Sequence, residues 1–194
     1  MSVVIGLRDY SRTVIGSDGR LSNDDHIVAD DVPKWFNLRG SEYYLGMVGQ
    51  YRGLVLAAEH AEALVGDRYM PVDPCHSGRA VPMIASAVRE ILRADGWVDE
   101  AKDGKPRWLD VEFLIAWPGG LVHVSGVGTL RAIDTFIAIG SGADYALGAL
   151  WAMQTAGGIS AEDRVDIALG AAMRYSGSCG GKVLVETLGS EVAA

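Results

Sequence analysis

The stretch SVVIGLRDYSRTVIGSDG, residues 2–19, decides how this chain folds. Apolar residues alternate with other residues along its first half, and a second apolar run follows the polar break at residues 9–12. Two such runs joined by a tight turn are typical of a β-hairpin. The letters GSDG then predict a turn after the second run. We therefore expect the chain to open with two antiparallel strands.

After this hairpin the first fifty residues continue as a β-meander, and the spacing of apolar residues then changes. Residues 21–26 (LSNDDH) are predicted to be a loop. Strand-like pieces follow at residues 26–29, 33–38 and 42–48. Apolar side chains recur at the spacing of one helical face from Leu54 to Leu64 and from Ile84 to Leu92, which predicts two helices. Turn-rich connections are predicted at residues 66–78 and 97–110.

The second half of the chain repeats this order of elements. Strands are predicted at residues 111–117, 121–127 and 135–139. Two helices follow, one after residues 140–142 and one beginning at Ser160, where Ser-Ala-Glu-Asp resembles a capping box. Residues 182–188 close the chain as a strand. Segregated helix pairs and antiparallel hairpins predict an α+β, four-layer αββα sandwich, with two sheets face to face and a helix pair on each.

Composition supports one domain over residues 1–194. The chain is 49% hydrophobic, which is enough to fill a sizeable core, and its composition does not change along its length. The net charge of −8, without a cluster of lysine or arginine, argues against nucleic acid as a partner. The start lacks the basic and apolar regions of a signal peptide, and the apolar runs are too short to cross a bilayer. We therefore expect a cytoplasmic protein without membrane contact.

The cysteines and glycine-rich segments do not predict a cofactor site. Cys75 and Cys179 lie far apart in sequence, which fits free thiols in a reducing compartment. A single disulfide between them is the alternative. CHSG, at residues 75–78, offers too few ligands for a metal. GSCGG, at residues 177–181, lacks the lysine and hydroxyl residue of a phosphate-binding loop. We expect neither a metal nor a cofactor.

Three polar residues of the first half share a regular spacing. Ser2, Asp18 and Lys34 are each sixteen residues apart, in or beside strands that could return alongside the first strand. If Met1 is removed, Ser2 carries a hydroxyl nucleophile and an α-amine with a pKa of about 8 that can act as its base. By itself this spacing also fits ordinary roles, such as a turn aspartate at residue 18 and a solvated lysine at a strand edge.

In this pattern the chain resembles the proteasome β-type family, and especially HslV, its two-ring bacterial member. Residues 2–19 are similar without a gap to the family's mature start, where a nucleophilic threonine begins the first strand. LGMVGQ, at residues 45–50, and AIGSGADYALGALWAM, at residues 138–153, are similar to two further segments of that family. The resemblance continues into the closing helix and strand, so it covers nearly the whole chain.

The resemblance implies a catalytic set of five residues. Ser2 falls on the nucleophile, Asp18 on the family's buried aspartate and Lys34 on its catalytic lysine. Lys34 would lower the pKa of the amine and hydroxyl, while Asp18 would hold Lys34 charged and oriented. The Gly49 N–H would stabilise the oxyanion of the tetrahedral intermediate, and Ser141 would support the amine and a proton-relaying water. Considered alone, Gly49 fits a structural turn and Ser141 a helix cap.

The sequence departs from the family at two places that bear on activity. The nucleophile is serine instead of threonine, which is chemically competent. In the family's R-D-x-x-S-G motif, Tyr175 replaces the aspartate and Ser178 matches the serine. The resemblance implies a peptidase subunit of a homo-oligomeric ring that cleaves polypeptides, with a AAA+ unfoldase as a possible partner. The alternatives are a catalytically inactive structural or interaction subunit, and an amidase that uses the same serine on a small molecule.

Overall fold

The computed structural model describes residues 2–23, 26–38, 41–60, 77–96 and 111–189. Its strands are β1 (Val3–Asp9), β2 (Arg12–Asp18), β3 (Leu21–Asn23), β4 (His26–Ala29), β5 (Trp35–Asn37), β6 (Tyr44–Gly49), β7 (Val111–Trp117), β8 (Gly120–Val124), β9 (Leu130–Ala132), β10 (Phe136–Gly140) and β11 (Val183–Leu188). Its helices are α1 (Tyr51–Glu59), α2 (Ser77–Ala94), α3 (Ala143–Met153) and α4 (Ala161–Tyr175).

The predicted opening hairpin forms the centre of the first sheet. β1 and β2 pair antiparallel from Val4 opposite Ser17 to Asp9 opposite Arg12. β10 flanks β1 and β11 flanks β2, which gives the order β10-β1-β2-β11. Because both strands of the hairpin are interior, β1 begins and β2 ends deep inside the protein. This placement buries the polar residues at that end of the hairpin.

The second sheet is antiparallel and has the order β5-β6-β7-β8-β9. β3 and β4 form a separate two-stranded ribbon. The prediction that residues 21–26 form a loop is therefore wrong for β3, which pairs with β4. The strand β9 was not predicted either. Both missed strands are only three residues long, too short to show an alternating pattern.

Alternation along β1 assigns its two faces to different layers. Val3, Ile5 and Leu7 pack into an apolar cluster with α3 and α4, whereas Val4 packs into the cluster between the sheets. The sheets approach closely at Gly6, where a Cβ would lie 2.7 Å from the side chain of Leu121. A third apolar cluster fills the space between the second sheet and the helices α1 and α2. The layers are thus helix, sheet, sheet, helix, and the αββα prediction is confirmed.

The predicted helices are present, with different ends. α1 ends at Glu59 and α2 begins at Ser77, inside the connection predicted for residues 66–78. The predicted extension of the first helix to Leu64, the rest of that connection and the whole predicted loop at residues 97–110 lie outside the described residues. The Ser160 Oγ accepts a hydrogen bond from the Asp163 N–H at 3.0 Å, which confirms the predicted cap. No helix within the described ranges has both the length and the apolar character needed to cross a membrane.

Candidate active site

Ser2 lies directly before β1, at the edge of a cavity between the two sheets. Its relative exposure is 8%. The cavity has a volume of about 970 Å³ and is lined by residues from both sheets, including Lys34, Gly49 and Ser141. Four of the five residues predicted for the site therefore border one space. The fifth, Asp18, lies beneath it.

Asp18 is the last residue of β2 and is fully buried. One carboxylate oxygen, Oδ1, accepts the N–H of Val3 at 3.0 Å, and Oδ2 accepts the N–H of Gly180 at 3.1 Å. Asp18 also forms an ion pair with Lys34, whose Nζ lies 3.5 Å from Oδ1. Asp18 thus differs from a solvent-exposed turn residue, because its charge is satisfied inside the protein by two amides and a cation.

Lys34 lies one residue before β5 and is also buried. Its Nζ donates to the backbone oxygen of Asp18 at 2.8 Å, and its own N–H donates to the Ser17 Oγ at 3.1 Å. Burial lowers the pKa of Lys34 below its ordinary value, and the Asp18 carboxylate opposes that shift. Two opposing effects therefore act on Lys34: burial favours its neutral amine, and the Asp18 carboxylate favours its ammonium.

Ser141 belongs to a chain of hydroxyl groups that reaches Ser2. Its Oγ donates to the carbonyl oxygen of Ser2 at 3.4 Å and lies 2.8 Å from the Ser178 Oγ. The Ser178 Oγ in turn lies 3.0 Å from the Ser176 Oγ. Ser178 is the residue that matches the family's serine. Ser176 was not predicted, and its place directly after α4 gave no signal beyond its nearness to that motif.

Cys179 is a buried free thiol beside this hydroxyl chain. Its Sγ lies 4.0 Å from the Ser141 Oγ. Burial raises the pKa of the Cys179 thiol, and hydrogen bonds from the neighbouring serines partly oppose that shift. A buried neutral thiol is a poor nucleophile, so Cys179 serves as packing under the site.

Gly49 ends β6 with a φ of 130°, a backbone conformation that side chains disfavour. It pairs in register with Val111 and borders the same cavity as Ser2. The residue type and position are compatible with an amide exposed to a substrate. Its role in an oxyanion hole stays a prediction, as do the catalytic roles of the other four residues.

Tyr175, at the position of the family's aspartate, ends α4 and is 68% exposed. Its ring lies 5.9 Å from the ring of Tyr145 on α3, measured between centroids. An aromatic pair on the surface thus takes the place of a carboxylate. The carboxylate of the family's motif is therefore missing from this position.

Two further residues beside the cavity were not predicted. Glu112, on β7, lines it, and His123, on β8, lies behind Glu112 with its Nε2 3.8 Å from a carboxylate oxygen. Alternation predicted the two strands, but which face of each strand borders the cavity depends on how the sheets stack. No group of histidine, cysteine or acidic side chains suited to a metal occurs among the residues that the structure describes.

Comparison with known proteins gives a likeness in structure alone. No family model and no curated protein matches this sequence. Thiobacillus denitrificans BPH in complex with epoxomicin has a TM-score of 0.78 at 20% identity, over 96% of this chain and 97% of that one. A second structure of the same BPH gives 0.77 at 21% identity over the same shares. HslV from Trypanosoma brucei gives 0.72 at 18% identity, over 96% of this chain and 98% of its own. This chain has the HslV-like fold.

Proposed function

We propose that this protein is a peptidase subunit of the proteasome β-type, HslV-like family, with Ser2 as an N-terminal nucleophile after Met1 is removed. The observation that carries the proposal is the buried Asp18 carboxylate, which binds the N–H next to Ser2 and the Lys34 ammonium together. A buried ion pair is costly unless its geometry is good, and here it lies at the edge of an open cavity. Perturbed pairs in such places are candidates for catalytic groups.

The chemistry follows from two groups on one residue. The free α-amine of Ser2 accepts the hydroxyl proton while Oγ attacks the carbonyl carbon of the scissile peptide bond. The resulting oxyanion receives a hydrogen bond from the Gly49 N–H. The C–N bond then breaks, the leaving amine takes the proton from the Ser2 ammonium, and an ester on Oγ remains. Water, deprotonated by the same amine, hydrolyses that ester and restores the hydroxyl.

Lys34 and the serine chain tune this reaction. A cation beside the amine and the hydroxyl lowers the pKa of both, and the Asp18 carboxylate opposes the lowering of the Lys34 pKa by burial. Ser141 fixes the carbonyl of Ser2 from the other side and is itself held by Ser178. The peptide group between Ser2 and Val3 is thereby held at both its N–H and its carbonyl oxygen, and Ser2 borders the cavity.

The biological setting that we propose is a homo-oligomeric ring that degrades polypeptides, with a AAA+ unfoldase supplying them. A second candidate function is a catalytically silent ring subunit. Tyr175 favours it, because an exposed aromatic residue occupies the position of the family's acid. A small-molecule amidase would use the same Ser2 chemistry and would hydrolyse acyl amides but no peptides. Native mass spectrometry tests the assembly separately from the chemistry.

The decisive experiment combines the mass of the N-terminus with covalent labelling by a peptide epoxyketone. This reagent needs a hydroxyl, which adds to its ketone, and a free amine, which opens its epoxide. We expect a mature chain without Met1, one adduct on Ser2, and hydrolysis of unstructured peptides. Ser2→Ala should abolish both adduct and hydrolysis, whereas Ser11→Ala, in the turn at the far end of β1, should change neither.

Two outcomes separate the candidates. Intact Met1, together with equal hydrolysis by the wild type and Ser2→Ala, rules out the proposed mechanism. Complete removal of Met1, without an adduct and without hydrolysis of any amide, identifies the silent subunit.

A further inference from the structure

Glu112 faces the space between the two sheets close to Ser2. It stands opposite Val48 in the register of β6 and β7, and opposite residues on neighbouring strands share a face about 5 Å apart. Val48 belongs to the apolar cluster between the sheets. A Cβ on Gly140 would contact both Val48 and the carbonyl oxygen of Ser2. The Glu112 side chain is 46% exposed and lines the cavity, so a bound molecule can reach it.

The cations that line this cavity all have carboxylate partners. The Nε of Arg20 lies 3.1 Å from Asp30, and Lys34 pairs with Asp18. Arg52 makes two hydrogen bonds of 3.1 Å with Asp95. None of these three carboxylates is among the cavity-lining residues. Among the described charges at the cavity, Glu112 is therefore the one that lacks a partner of full opposite charge.

The neighbour of Glu112 does not neutralise it. His123 lies 3.8 Å away, and its buried Nε2 makes no hydrogen bond within the part of the chain that the structure describes. Burial lowers the pKa of His123. The Glu112 charge opposes this shift, and Arg131 on β9 adds to it. The lowered pKa favours the neutral imidazole, so His123 does not supply Glu112 with a cation.

The wall beside Glu112 suits a long side chain with an apolar stem. Val48, opposite Glu112 on β6, lines the cavity on the same face of the second sheet, whereas Met47, Leu54 and Val111 line it from the face that packs on α1 and α2. Arginine and lysine lay an aliphatic stem along apolar surface and keep the charged head free. An arginine head can also donate two parallel hydrogen bonds to a carboxylate.

We propose that Glu112 selects substrates with an arginine or lysine side chain within three residues of the scissile bond. This inference rests on the proposed function for the reaction, but the recognition itself needs only the cavity. The carboxylate of Glu112 and the apolar side chain of Val48 next to it are the two features that a basic side chain matches at once.

Binding tests this without requiring catalysis. The Ser2→Ala protein is titrated with labelled peptides of one neutral sequence, in which a single position carries arginine, glutamine or glutamate, and each position from three before to three after a chosen bond is scanned. We expect arginine to bind about tenfold more tightly than glutamine at one position, as a close charge pair at a partly desolvated interface does. In Glu112→Gln that preference should fall below about twofold, and in Glu112→Lys glutamate should become the preferred residue.

Glu90→Gln on α2 is the matched control, since it removes an exposed carboxylate that pairs with Arg93 and does not line the cavity. It should leave the arginine preference unchanged. The inference is overturned if arginine and glutamine peptides bind alike, if no peptide binds, or if the preference survives in Glu112→Gln. Cleavage of the same peptides by the wild type is the second readout. Charge-dependent binding without cleavage or Ser2 labelling would uphold the recognition and refute the peptidase.

Discussion

Replacing Asp18 by asparagine tests how much the buried Asp18 carboxylate and its three contacts stabilise the protein. The amide keeps the shape of the carboxylate but has one oxygen, so the N–H of Val3 or Gly180 must face an NH₂ group. Lys34 also loses its counter-charge while it stays buried. Removing one partner of a buried ion pair costs about 3–5 kcal/mol, which is a large part of the roughly 5–15 kcal/mol that stabilises a typical domain.

The measurement is the free energy of unfolding from urea titration, followed by tryptophan fluorescence. Asp9→Asn is the control, because Asp9 forms a partly exposed pair with Arg12 and its loss should cost about 0–1 kcal/mol. In a Lys34→Met background, Asp18→Asn should cost less, since no buried cation is then left unpaired. A loss for Asp18→Asn that is no larger than for Asp9→Asn would refute the reasoning.

Two further predictions concern Lys34 and the glycines. Burial lowers the folded-state pKa of Lys34, so the unfolded chain binds more protons than the folded chain between that pKa and 10.5. Lys34 therefore makes the free energy of unfolding rise with pH across that window. Urea titrations from pH 7 to 10.5 should show a smaller rise in Lys34→Met than in the wild type. Gly49→Ala should destabilise by about 1–3 kcal/mol because of its positive φ, whereas Gly148→Ala, on α3 with open space around it, should stabilise by up to about 1 kcal/mol. Equal effects of the two glycine variants in thermal unfolding would contradict this.

Local sequence patterns predicted most of the strands and helices that form the layers, because the periodicity of an element depends on residues close in sequence. The alternation in β1 and the helical spacing around Ile84 both appear in the structure as predicted. The short strands β3 and β9 escaped prediction, since three residues carry no period. Their pairing is decided by the neighbouring strand and not by their own sequence.

The site was less accessible from local patterns. The spacing of Ser2, Asp18 and Lys34 gains meaning only through a resemblance over the whole chain. The donor at Gly180 is 162 residues from Asp18 and carries no side chain that could signal it. The position of Glu112 at the cavity could not be predicted for a similar reason. The pattern of a strand predicts which residues share a face, but it does not predict what that face packs against.

The hydrogen bond from Gly180 to Asp18 has a consequence for the order of events during synthesis. A nascent chain in which only β1, β2 and Lys34 have left the ribosome lacks the second amide donor, and it also lacks Ser141 and Ser178 behind Ser2. Contacts between residues so distant in sequence carry a loop-closure cost that slows folding. If Ser2 is the nucleophile, the groups that hold it are complete only after residues 178–180, beyond the last helix, have been made.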